Sequence, residues 1–244
     1  MVPQEMKKYF VQNHVFLCVA NAHAVLLDLK RDKYICLTPK RADFLASLLG
    51  KSSLNGNEAH LPDNSPAWDH CAKARPLVES GLLTTKRELG KSDPLTRLPL
   101  PTLPLVDQHS PPRSNVKTGH VLTFFYACAI ASWKLRRWPL ERTVGSVERR
   151  RQLKQSAWSQ SEFEKARTLV VIFNRLRPFF PANYLCLFDS LALVEFLARY
   201  DLFPTWVYGV EAEPFNAHCW VQQGDVLFND LVDRVRLFTP IMAV

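Results

Sequence analysis

The segment CLFDSLALVEFLARY, Cys186 to Tyr200, limits the fold more than any other. Between Leu187 and Ala198 only Asp189, Ser190 and Glu195 are polar. A helix that is apolar nearly all round has no solvent face, so it has to run through the middle of its domain with other elements packed about it. Asn183 is read as its N-cap, which places Cys186 in the first turn. There the unpaired backbone N–H groups and the positive end of the helix dipole favour a thiolate over a thiol. A cysteine in that place also reads as a small buried hydrophobe, and the chain that follows has to decide between the two.

Thr205 to Glu211, TWVYGVE, reads as a strand, and residues 215–230, FNAHCWVQQGDVLFND, read as a strand, a turn and a second strand. Cysteine at a helix start, then histidine and acid on successive strands, is the order found in thiol proteases. In that chemistry the imidazole takes the thiol proton and the acid fixes its tautomer. The candidates are Cys186, His218 and Asp230.

The hairpin sets a geometric condition. With a two-residue turn at Gly224-Asp225, His218 pairs with Leu231 and Asp230 points to the other face. With a three-residue loop over 223–225, His218 and Asp230 share a face. The chemistry therefore predicts the three-residue loop or an equivalent bulge. By strand alternation Cys219 points away from His218 and is assigned to packing. Trp220 shares the histidine's face, as a cover for the site or as core. One His, one Cys and one Asp from distant segments lack the usual pairing of metal ligands, so no metal is expected.

Six prolines between Pro94 and Pro112 mark residues 86–119 as an extended linker. It separates a module over 1–85 from a second domain over 120–244. In the first, Val15 to Val19, Ala24 to Leu29 and Tyr34 to Leu37 read as three short strands. Thr38-Pro39 opens a helix through Leu49 that buries Phe44, Leu45, Leu48 and Leu49. Ser65-Pro66 repeats this logic for a second helical region that carries Trp68, Cys71, Leu77 and Val78 and stops at Gly81. That layout is winged-helix-like. The second domain opens with helices over 120–138, 140–157 and 161–179, the third with a capping box of Ser161 and Glu164.

The hydrophobic fraction of 47% and charged fraction of 22% describe a globular chain. No apolar run reaches the ~18 residues of a membrane span and MVPQEMKKYF lacks a signal-peptide core, so a cytoplasmic protein is expected. The six cysteines form no CxxC pair, and most should be reduced and buried. Much of the net charge of +8 lies in Lys134, Arg136, Arg137, Arg149, Arg150, Arg151 and Lys154, read as a solvated helix face. Nucleic acid is not expected at the N-terminal module, because Asp69 and Glu79 stand beside Lys73 and Arg75. A peptide added as a strand along Tyr34, Ile35, Cys36 and Leu37 asks for less. Phe44 and Leu48 would line pockets beside that edge or belong to the core.

The elements CLFDSLAL (186–193), GVEAEPFNAHCWV (209–221) and ND (229–230) resemble the transglutaminase-like cysteine protease of lasso peptide biosynthesis, the B protein. The likeness covers the chain from about Tyr184 to its end. The N-terminal module resembles the PqqD-like leader-recognition element that some B proteins carry. The fold implied is α+β, a winged-helix-like module followed by a papain- or transglutaminase-like protease domain. The resemblance implies Cys186 as nucleophile, His218 as base and then acid, and Asp230 as orienter, in hydrolysis of the bond joining leader to core in a precursor peptide. It implies no cofactor for this chain, and as partners the precursor and an asparagine-synthetase-like cyclase that consumes ATP. Two departures stand out. Many relatives carry a basic residue where Asp189 stands, and a carboxylate there opposes thiolate formation. RYDLFP also replaces a more usual glycine-containing turn. A non-catalytic adaptor delivering precursor to the cyclase is the alternative, and a DNA-binding regulator the third reading.

Overall fold

The computed structural model describes residues 8–51, 54, 67–96, 98–106, 114–154 and 157–244. Its compact units are residues 1–96 with 210–216, and residues 97–209 with 217–244.

The first unit starts with strands β1 (Phe10–Val11), β2 (Val15–Ala20), β3 (His23–Asp28) and β4 (Lys33–Leu37). β2, β3 and β4 form an antiparallel meander in which Val15 faces Asp28 and Ala24 faces Leu37, leaving β4 at an edge. Asn21 and Ala22 take positive φ in the first turn, as a tight hairpin connection requires. Helix α1 (Pro39–Leu48) follows Thr38 with proline at its first position, as read. Helix α2 (Ala67–Glu79) ends before Gly81, whose φ of +73° reverses the chain into β5 (Leu83–Thr84), the partner of β1. The Ser65-Pro66 cap and the side chains of Trp68 and Cys71 lie outside the described residues. Leu17, Leu26, Leu45 and Leu83 are among the core side chains.

The second unit begins inside the segment expected to be a loose linker. Strand β6 (Leu103–Pro104) is followed by α3 (Thr118–Arg137), α4 (Leu140–Gln152), α5 (Gln160–Leu176) and α6 (Cys186–Ala198). Next come β7 (Thr205–Ala212), β8 (Phe215–Gln223), β9 (Val226–Leu227), α7 (Val232–Val235) and β10 (Thr239–Ala243). The sheet order is β10-β7-β8-β9-β6, with β6 parallel to β9. The prolines suit this edge position because proline cannot donate to an inner ladder. Thr102 and Leu103 N–H both donate to Asp225 O, Leu105 N–H donates to Leu227 O, and Leu98 and Leu100 pack against the sheet's apolar cluster.

α6 is central, as its composition demands: Leu191, Ala192, Leu193, Phe196 and Leu197 have no exposed surface, and α3 and α5 pack on it. Several helix ends differ from the reading: α3 runs over Thr118–Arg137, and α4 stops at Gln152 and not at residue 157. The capping box of α5 is Ser159 with Glu162, whose backbone N–H donates to Ser159 Oγ, so the helix starts earlier than Ser161. Both SxxE pairs exist in sequence, and the first to be reached satisfies the free N–H groups. The same helix ends at Leu176, and Arg177–Phe179 is a 3-10 turn whose Pro178 lacks the N–H that α5 would need to continue.

Candidate active site

Cys186 is the first residue of α6. Its N-cap is Leu185, in extended conformation and without a capping side chain, and not Asn183. The correction has a simple cause: the Asn183 carbonyl is bound by Arg177 Nη2 at 3.0 Å, which fixes the chain in front of the helix. With no side chain capping it, the first turn leaves its N–H groups and dipole available to the sulfur.

His218 sits on β8, 6% exposed, its ring 5.0 Å from that of Phe238 and nearly parallel to Trp220 at 6.2 Å. Trp220 is fully buried, so of its two expected roles it fills the core. Gly209 on β7 makes room for it, since a Cβ there would fall 2.6 Å from Trp220 Cζ3. His218 Nε2 is hydrogen-bonded to Asp230 Oδ2, which leaves Nδ1 as the nitrogen that can face the sulfur. The other carboxylate oxygen accepts the Leu231 N–H at 2.7 Å.

The hairpin reaches this arrangement by a route other than the expected three-residue loop. Gln223 pairs with Val226 and Gln222 with Leu227, so Gly224-Asp225 is a two-residue turn, with Gly224 at a φ of +59°. That register would send Asp230 to the wrong face. The ladder stops instead after Phe228, whose N–H donates to Val221 O, and the Val221 N–H turns to Asn229 Oδ1 at 2.8 Å. A side-chain amide thus replaces a strand carbonyl, the backbone bends over 228–230, and Asp230 swings back to the histidine. Asn229 Nδ2 then donates to Ser190 Oγ at 2.9 Å, and Ser190 Oγ donates to the Cys219 carbonyl at 3.2 Å. Ser190 lies one turn after Cys186, so this chain of bonds ties together the three segments that carry the sulfur, the ring and the carboxylate.

The electrostatics follow from these contacts. Hydrogen bonding from the Cys219 thiol, then from His218, outweighs burial and, with the Cys219 backbone N–H and the charge of His218, brings the Cys186 thiol down to about 4. Cys219 is itself pushed far up by burial and stays a thiol, able to donate. It is buried, as its assignment to packing expected, and it also donates toward the Cys186 sulfur. Burial alone would lower His218, but its bonds to Asp230 and Cys186 prevail and raise it to about 9. Burial likewise works against ionisation of Asp230, and bonds from His218 and Leu231 N–H override it and hold the carboxyl below its ordinary range. Between these limits the site holds a thiolate beside an imidazolium.

Asp189 does not stand unopposed next to the thiolate. Arg177, 4% exposed, places Nε on its carboxylate and donates through Nη1 and Nη2 to the carbonyls of Phe180, Ala182 and Asn183. Its guanidinium also lies 4.3 Å from the Tyr184 ring centroid. Burial still raises the Asp189 carboxyl against the pull of Arg177. Sequence reasoning missed the roles of Arg177 and Ser190, and held Asn229 only as part of the ND element. An arginine within an apolar helix end, directly before proline, was the available signal for the first.

The residues expected to hold a peptide divide. Leu37 and Leu48 are buried in the core of the first unit, while Ile35 and Phe44 are partly buried against it. Cys36 is exposed on the edge strand β4. The Tyr34 ring lies 5.6 Å from that of Phe215, a residue of the same unit. The described cysteines, 18, 36, 128, 186 and 219, are free. Among the described residues no group of three or more His, Cys, Asp or Glu side chains could hold a metal ion, and no helix is long and apolar enough to cross a membrane.

Residues 127–243, which carry Cys186, His218 and Asp230, match the family model of the transglutaminase-like superfamily. That superfamily includes cysteine-peptidase-like members. No curated protein and no solved structure matches the chain.

Proposed function

We propose that the protein is the leader peptidase of a lasso peptide pathway, a cysteine peptidase that cuts the bond between leader and core of a ribosomally made precursor. The observation that supports this most is the Cys186 thiol at the head of α6, paired with a His218 ring whose far nitrogen is held by Asp230. The thiolate adds to the scissile carbonyl carbon, and the backbone N–H of Cys186 is the natural first donor to the developing oxyanion. The C–N bond then breaks as the imidazolium passes its proton to the departing amine, leaving a thioester on Cys186. The ring, now neutral, takes a proton from water as the water oxygen adds to the thioester. The C–S bond breaks, a carboxyl product leaves and the thiolate returns. Asp230 keeps Nε2 protonated and turned away throughout, and Asn229, Ser190 and Arg177 act as positioning residues.

In this reading the edge of β4 receives the leader as an added strand, and holding the leader raises the local concentration of the cut site near the thiol. An asparagine-synthetase-like cyclase that uses ATP takes the product. Incubating the protein with precursor peptides, with and without such a cyclase, and weighing the fragments tests the proposal. A single cut at the leader boundary, lost in Cys186→Ala, is the expected outcome. An uncut precursor that still binds would favour the adaptor instead.

A further inference from the structure

The other end of α6 carries a second constellation that the peptidase chemistry does not use. Glu195, a buried carboxylate, accepts Lys134 Nζ at 2.8 Å and both Arg150 Nη1 and Nη2, at 2.8 and 2.6 Å. The basic cluster is thus only in part the solvated face its sequence implied, since Lys134 is 7% exposed. These three groups line a groove of about 580 Å³. Lys154 and Arg199 also line it, so four cations meet one carboxylate, already taken by two of them. The cations are held in place: Arg199 stacks 4.2 Å from the Tyr126 ring centroid, and Lys154 donates to Asp201 O at 2.9 Å. Between them stand apolar side chains left open to solvent, Trp133 at 48%, Tyr126 at 49% and Leu153 at 88% exposure.

Tryptophan, tyrosine and arginine are the residue types that carry most binding energy at protein interfaces. A guanidinium stacked on a ring keeps its edge free for a carboxylate. We propose that this groove docks an acidic segment of a partner protein, one that inserts a large apolar side chain beside Trp133 and sets carboxylates against Arg199 and Lys154. Charge complementarity selects the acid, and four cations gathered in one groove around the aliphatic Leu153 suit carboxylates on a short segment better than a phosphate backbone, which needs cations spaced along a track. α6 rises about 1.5 Å per residue, so Ala198 at the groove is about 18 Å from Cys186, and an occupant leaves the thiol open. The proposal does not depend on the peptidase reading.

The test titrates the full chain into a fluorescein-labelled peptide of glutamates interrupted by one tryptophan and one leucine, read by anisotropy. Companion probes replace glutamate by glutamine, replace the two apolar residues by alanine, or are a single-stranded oligonucleotide. The acidic apolar peptide should bind, and Trp133→Ala and Arg199→Glu should each weaken it by roughly tenfold with thermal unfolding unchanged. Either companion peptide should bind correspondingly less well. No binding, or binding indifferent to both variants, overturns the proposal. So does an oligonucleotide that binds more tightly and loses affinity in the same variants, which would make the groove a nucleic-acid surface.

Discussion

The two ends of α6 each carry an acid that burial disfavours, and the helix treats them differently. At the head Asp189 has one cation, Arg177, and burial leaves its carboxyl raised. At the tail Glu195 has two, Lys134 and Arg150, and together they overcome burial and hold it lowered. The second cation decides the sign, since Glu195 is the more deeply buried of the two, while Asp189 has a single cation and also faces the Cys186 sulfur. A single partner at the head keeps charge near the sulfur balanced. The surplus at the tail leaves a positive floor to an open groove.

Removing one group from each end separates the two roles. Cys186→Ala should abolish peptide cleavage, by at least about 10³-fold, with little change in urea unfolding. Glu195→Ala should spare the thiol's reactivity but cost about 3 to 5 kcal/mol in the same unfolding assay, because Lys134 stays buried without its acid. If Glu195→Ala instead silenced the thiol and left stability intact, the comparison would fail.

The next effect is on pH. Cys186, lowered to about 4, is a thiolate above that value, and His218, raised to about 9, is an imidazolium below that one. Cleavage should therefore follow a bell with limbs near these values. Asp230→Asn removes the carboxylate that raises His218, so the alkaline limb should move to lower pH and kcat should drop by about 10²-fold. An unmoved limb would take Asp230 out of the site.

Arg177→Met leaves Asp189 without its cation and facing the thiolate. The acid limb should move up, slowing alkylation of Cys186 by iodoacetamide at pH 5 by about tenfold, and Asp189→Asn in the same chain should restore it. The smallest effect is expected from Asn229→Ala, which unsatisfies the Val221 N–H and frees Ser190. It should cost about 1 to 3 kcal/mol in unfolding and lower kcat severalfold with little change in KM. A variant that lost stability without any loss in kcat would make Asn229 merely structural.

Several features were legible before any fold was known, because they depend on neighbours along the chain. An apolar stretch with three polar residues cannot avoid the centre of a domain, and α6 lies there. Strand alternation predicts the hairpin, though not its two-residue turn, and the order of cysteine, histidine and acid singles out three residues that lie close together in the fold. The N-cap of α6, the way the hairpin brings Asp230 round, the partner of Asp189 and the incorporation of residues 98–106 into the sheet were not legible. Each depends on a hydrogen bond or ion pair between segments far apart in sequence: Arg177 to the Asn183 carbonyl and to Asp189, Asn229 to Val221 and Ser190, Leu105 to Leu227. Local propensity states which bonds a residue can make, and only the packed chain decides which partner is close enough to make them.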